Sequence, residues 1–213
     1  WTSWLRRART WASAIKQDGR MADTFTVVFD ACIFYPFTLR DLFVQLATTD
    51  LFRGRWTSDI HDEWTRALLA AHPGDARLTA ERLAALRDRI DENVLDCVVT
   101  GYERLIPGLQ LPDPDDRHVL AAAIRSGAQV IVTKNIRDFP EEALAPFGIE
   151  AQHPDAFVAC LLDLGAGTVC QSVREVRLRY KHPPADVEAY MRMLERQDLF
   201  ETAARLREYG NLI

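Results

Sequence analysis

Two short runs constrain this chain more than anything else in it, TFTVVFD at residues 24–30 and QVIVT at residues 129–133. Both are apolar and β-branched with no helical period, the pattern of strands buried on both faces of a parallel sheet. Helical spacing fills the interval between them. Leu39, Leu42, Phe43 and Leu46 share one face of a helix over about 36–48, opened by Pro36. Phe52 to Trp56 reads as a short second strand, and Thr57 or Ser58 caps the helix after it. Leu78, Leu83, Leu86 and Ile90 place a further helix within about 75–93. Residues 94–111 fit either a helix end or a strand. DPDDRHVLAAAIRSG (113–127) predicts a helix with Asp113 as N-cap, Pro114 in the first position and Gly127 at the stop. GIEAQ (148–152) supplies a last short strand. Strands alternating with helices predict an α/β domain with a central parallel sheet over residues 21–153.

Beyond Pro154 the pattern is wholly helical, with helices near 155–164, 168–182, 184–196 and 198–209 and a break at Pro183-Pro184. Leu161, Leu162, Val173, Val176, Met191, Leu194, Leu199 and Leu206 form stripes that need burial, so residues 154–213 are expected to make an all-helical C-terminal unit. At the other end, residues 1–20 carry Trp1, Trp4, Leu5, Ala8, Trp11, Ala12 and Ile15 at helical spacing, with Arg6, Arg7, Arg9 and Lys16 elsewhere on the surface. That segment reads as an amphipathic extension, native or appended, and Met21 as a natural start. It lacks the continuous apolar core and the cleavage site of a signal peptide. No unbroken apolar run approaches the ~20 residues of a membrane span. A soluble, cytoplasmic protein without a membrane partner is expected.

Composition narrows the chemistry. Apolar residues at 48% and charged residues at 27% exclude a disordered chain. With 31 acidic against 26 basic residues, the net charge of −5 excludes a general nucleic-acid coat but permits an anionic pocket that recruits a cation. Cys32, Cys97, Cys160 and Cys170 form no CxxC pair, which disfavours zinc and a disulfide framework and predicts reduced, buried thiols.

The anomaly lies in where the acids fall. Glu63 shares the stripe of Ile60, Trp64, Ala67 and Leu68, and Asp116 that of Val119, Leu120, Ala123 and Ile124. A buried, unpaired carboxylate is costly or loses its charge. Asp30 ends the first strand, while Asn135 and Asp138 follow the strand that ends at Thr133. Ligands of an open parallel sheet sit beyond the carboxyl ends of its strands. Carboxylates converging there would repel unless a hard cation such as Mg²⁺ or Mn²⁺ neutralised them. Asp113 and Asp115 are sufficiently explained as helix-start residues. His61, His118 and His153 read as exposed or capping and carry no chemistry.

The segments FTVVFDACIFYP, RWTSDIHDEW and LPDPDDRHVLAAAIRSGAQVIVTKNIRDFP resemble the PIN-domain nucleases, in particular the VapC-type toxins of bacterial toxin–antitoxin pairs. The resemblance implies a three-layer α/β/α PIN-like domain with a central parallel sheet. The helical tail resembles the C-terminal extension of a longer subgroup. The family's catalytic, metal-binding acids fall on Asp30, Glu63 and Asp116, with the fourth at Asp138 or Asn135. Thr133 matches its hydroxyl-bearing residue. The activity implied is Mg²⁺- or Mn²⁺-dependent endoribonucleolytic cleavage leaving a 5′-phosphate and a 3′-hydroxyl, with a cognate antitoxin as inhibitor and a homodimer as a frequent assembly. Thr133, Asn135, Arg117 and Lys134 are candidate RNA contacts, and Arg40, Arg53, Arg55 and Arg137 also flank the motifs.

Two other readings keep the acids at strand ends. A receiver-like phosphoacceptor domain would suit Thr133 and Lys134, but it needs paired acids at the first strand end, where Ala31 and Cys32 stand instead. A catalytically silent PIN-like binding module would keep the fold and lose the reaction.

Overall fold

A computed structural model of the chain describes residues 24–181 and 185–213, so the amphipathic segment 1–20, Met21 and the Pro183-Pro184 break lie outside the described residues. The apolar runs form strands: β1 (Thr26–Phe29), β2 (Arg53–Arg55), β3 (Val130–Val132) and β4 (Glu150–Gln152). All are parallel, in the order β2-β1-β3-β4, with Val28 opposite both Arg55 and Ile131. β1 and β3 are buried at every residue because both lie inside the sheet and are covered on both faces.

Nine α-helices are described. Asp30 turns directly into the one-turn α1 (Ala31–Phe34), and Pro36 opens α2 (Phe37–Ala47). The Thr57 hydroxyl accepts from the Ile60 amide at 3.1 Å and so starts α3 (Ser58–Ala71), and Thr79 caps α4 (Ala80–Asn93). Residues 94–111, open in the sequence, hold a single bridge between Trp56 and Val98 and a 3₁₀ turn at Glu103–Gly108. A second 3₁₀ turn, Pro114–Asp116, leads into α5 (Arg117–Ser126), which Gly127 ends in the left-handed region (φ 64°). A short α6 (Glu141–Leu144) precedes β4.

Parallel crossovers are right-handed, so their direction decides the layer. The β1-to-β2 connection runs one way, and the β2-to-β3 and β3-to-β4 connections run the other. α2 therefore covers one face, and α5, packed on β1 and β3, covers the opposite one. The result is three layers. The chain leaves the neighbouring strands β1 and β3 in opposite directions, which opens a crevice at their carboxyl ends.

The C-terminal unit is α7 (Pro154–Arg179), α8 (Val187–Glu195) and α9 (Phe200–Arg207). Two expected helices are one here: α7 continues through Gly165, the one residue inside it outside helical geometry. A Cβ at that position would lie 2.9 Å from Leu51 Cδ2, so the missing side chain lets the bend sit against the main domain. All eight apolar residues expected to need burial are buried. Phe157 packs on Phe52 (5.2 Å between ring centroids), Phe43 (6.0 Å) and Phe25 (6.4 Å), so α7 belongs to the same core as the sheet. Contrary to the count of unbroken apolar residues, α7 is long and apolar enough to cross a membrane by length and composition. In this fold its apolar side chains pack against α2 and α9.

Candidate active site

Asp30 leaves β1 in extended conformation, and its amide donates to Val132 O at 3.1 Å, tying it to β3. Its side chain caps nothing. Oδ2 instead accepts from Thr133 Oγ1 at 2.7 Å and from Cys32 Sγ at 3.1 Å. Thr133 Oγ1 accepts from the Asn135 amide at 2.9 Å, and Cys32 Sγ from the Lys134 amide at 3.2 Å. Two bridges thus run from Asp30 to the turn after β3, one through a hydroxyl and one through a thiol. Burial pushes the Asp30 carboxyl above the usual carboxylate range; the Thr133 and Cys32 hydrogen bonds oppose this and the Glu63 charge adds to it. Burial likewise raises the Cys32 thiol, with the Asp30 charge reinforcing the effect.

Glu63 does not occupy the buried stripe the spacing predicts. α3 buries Ile60, His61, Trp64 and Thr65, whereas Ala67 is exposed and Leu68 half-buried. The helix is rotated because His61 and Thr65 have internal partners, and Glu63 stands at the border with its side chain 44% exposed. Its Oε2 lies 3.3 Å from His118 Nε2 on α5. Burial alone would lower the His118 pKa, but the Glu63 hydrogen bond and charge, with Asp59 and Asp30 behind them, raise it. His118, which carried no chemistry in the sequence reading, therefore joins the helices bearing two of the acids. Only its place two residues after Asp116 signalled this, and that spacing has no helical meaning.

Asp116 ends the second 3₁₀ turn half-buried. Burial first, then the charges of Asp30, Asp113, Asp138 and Glu63, push its carboxyl up to about 7. Asp113 accepts from the Asp115 amide at 2.9 Å, the expected cap, while Asp115 is exposed. Asp138 closes the 3₁₀ turn Ile136–Asp138, half-buried, with its charge acting on Asp116. Asn135 is exposed and meets Thr133 through its backbone amide.

The other sequence candidates separate by role. Arg117 is half-buried, with a buried Nε that has no hydrogen-bond partner. Lys134 Nζ is taken by Asp198 Oδ2 at 2.7 Å. Arg40 lies over the Trp64 ring (5.4 Å) and donates to Phe34 O, a packing role. His61 is buried, not exposed or capping: Trp64 Nε1 donates to its Nδ1 at 2.9 Å. An indole only donates, so Nδ1 is bare and Nε2 carries the hydrogen that meets Asp91 Oδ1 at 2.8 Å. His153 caps α7.

Asp30, Glu63, Asp116 and Asp138 offer hard oxygen donors and mutual repulsion, the chemistry that fits Mg²⁺ or Mn²⁺. As they stand, no three His, Cys, Asp or Glu side chains among the described residues close onto one point. Asp30 is the buried member of the set, and Glu63, Asp116 and Asp138 are each partly exposed.

Residues 23–137, more than half of the 213, match a family profile described as PIN domain. The chain belongs to the PIN-domain family. Its PIN domain is followed by a match to the VapC50 C-terminal domain over residues 154–208. A 64-residue stretch is 52% identical to a Mycobacterium tuberculosis (strain ATCC 25618 / H37Rv) protein named "Putative ribonuclease VapC50", covering 30% of this chain and 37% of that relative. No solved structure matches.

Proposed function

We propose that this PIN-domain chain is the cytoplasmic toxin of a type II toxin–antitoxin pair, a Mg²⁺- or Mn²⁺-dependent endoribonuclease, organised as a nuclease domain (21–153) and a helical unit (154–213). The observation that carries the reading is Asp116, half-buried at the end of its 3₁₀ turn, where burial first and then the charges of Asp30, Asp113, Asp138 and Glu63 disfavour its ionised form. Such a set is costly as structure alone and useful around a cation.

Asp30, Glu63, Asp116 and Asp138 would hold the metal, which supplies charge neutralisation and a water of lowered pKa. Thr133 and Cys32 fix the Asp30 carboxylate, and His118 restrains Glu63. The Arg117 guanidinium is set to steady an RNA phosphate, and burial of Asp30 keeps bulk water from it. A receiver-like domain would need paired acids at the end of β1, whereas Ala31 and Cys32 follow Asp30 there. A named ribonuclease among the relatives supports RNA as substrate, and a VapB-type antitoxin is the expected inhibitor.

Incubating the full chain with total RNA in Mn²⁺ and in EDTA tests the proposal. Fragments bearing 5′-phosphates and 3′-hydroxyls in Mn²⁺ alone are expected. Intact RNA in both, or equal cleavage in both, would contradict it.

A further inference from the structure

The corner between α8 and α9 holds its backbone in the left-handed region, which only glycine, asparagine and aspartate visit readily. Asp198 has φ 66°, the left-handed region where a helix ends most cheaply on glycine. Its neighbours fix it there: Gln197 N donates to Leu194 O at 2.8 Å, Asp198 N to Glu195 O at 2.9 Å and Leu199 N to Leu194 O at 3.1 Å. Leu199 is fully buried, and the start of α9 is gripped by Asp155, which accepts from the Glu201 and Thr202 amides at 2.9 and 2.7 Å. The corner is rigid, so the Asp198 side chain is presented from a fixed place.

That side chain reaches across to the candidate nuclease edge. Asp198 Oδ2 meets Lys134 Nζ at 2.7 Å. Lys134 follows Thr133, the hydroxyl on Asp30, and its own amide is bound to Cys32 Sγ, the thiol on Asp30. The lysine is therefore held at a fixed place beside the buried acid, half-buried, with its charge already answered by the C-terminal unit. An ion pair of this exposure is weak, so another anion can exchange into it.

We propose that Asp198 occupies, from within the chain, the position of an RNA phosphate on Lys134, so that the C-terminal unit restrains RNA binding at the nuclease edge until a phosphate displaces the carboxylate. This rests on the nuclease reading. It makes Asp198 a residue that acts through Lys134, not one that touches the reacting atoms.

The test is anisotropy of a fluorescein-labelled single-stranded RNA 20-mer with the full chain in EDTA, where binding is read without turnover. Asp198→Gly and Asp198→Asn both accept the left-handed backbone, so both variants should fold. Each is expected to bind about fivefold tighter than wild type near 50 mM KCl, with the log–log salt slope steeper by about 0.7, one added phosphate contact on a single strand. In a Lys134→Ala background the Asp198→Gly gain should vanish. Wild-type binding that neither Asp198 variant tightens, or a gain that survives Lys134→Ala, would overturn the inference alone. RNA binding by neither wild type nor variants would also overturn this inference, while the nuclease reading stands or falls separately on cleavage in Mn²⁺.

Discussion

Asp116 is held against its own charge. With the folded-state pKa raised to about 7 from an ordinary 3.8, the folded protein binds a proton that the unfolded chain releases. Without metal, the Asp116 contribution to stability is therefore fully present below pH ~4 and is lost as pH rises to about 7. Asp116→Asn should remove that slope and, at pH 8, stabilise the metal-free protein on the order of 1 kcal/mol once solvent screening of this half-exposed group is allowed for. Melting curves from pH 4 to 8 check this; an unchanged slope in the variant would count against the acid cluster. Thr133→Val removes one donor to Asp30 and one acceptor of the Asn135 amide, and should cost about 1–3 kcal/mol in urea unfolding. Asp30 is legible because a strand end is a local signal, and Asp116 because it shares the face of Val119 and Leu120, which the fold buries. The stripe that spacing assigns to Glu63 keeps only Ile60 and Trp64 buried, because His61 and Thr65, polar by type, turn inward to partners distant in sequence or on the helix backbone. The His118–Glu63 and Lys134–Asp198 pairs join separate elements, and nothing local announces them.

Among the elements, glycines mark where packing is closest. A Cβ on Gly54 in β2 would lie 2.9 Å from the Ala47 Cβ of α2, which cannot rotate away. Gly54→Val should cost about 1–3 kcal/mol by prising the edge strand from the helix, measured by chemical denaturation. Asp155 begins α7 yet caps α9, so Asp155→Ala should cost about 1–2 kcal/mol and loosen the α9 amides in hydrogen exchange before those of the sheet. The strands and most helices were legible because β-branched runs, proline starts and threonine caps act within a few residues. α1 and the 3₁₀ turns were not, being too short to show a period. The union of two expected helices into α7 was hidden because Gly165 reads as a stop, while the fold uses it as a bend under Leu51.

For the molecule as a whole, Phe157 makes the sheet and the C-terminal helices one core. A chain ending at residue 153 would expose Phe25, Phe43 and Phe52, and is expected to aggregate or melt well below the full chain in light scattering and calorimetry. Equal solubility and melting temperature would show that the tail is dispensable to the fold. The parallel sheet and its switch crevice follow from strand order, and strand order is what brings Asp30 beside Thr133 and faces them with α3 and α5. The proposed activity makes this crevice a metal-dependent ribonuclease site. Its most direct test is the single-turnover rate of RNA cleavage in Mn²⁺ by wild type and by Asp30→Asn. Cleavage by wild type and a loss of at least about a thousandfold in the variant is the predicted result; a variant that cuts at the wild-type rate would contradict it.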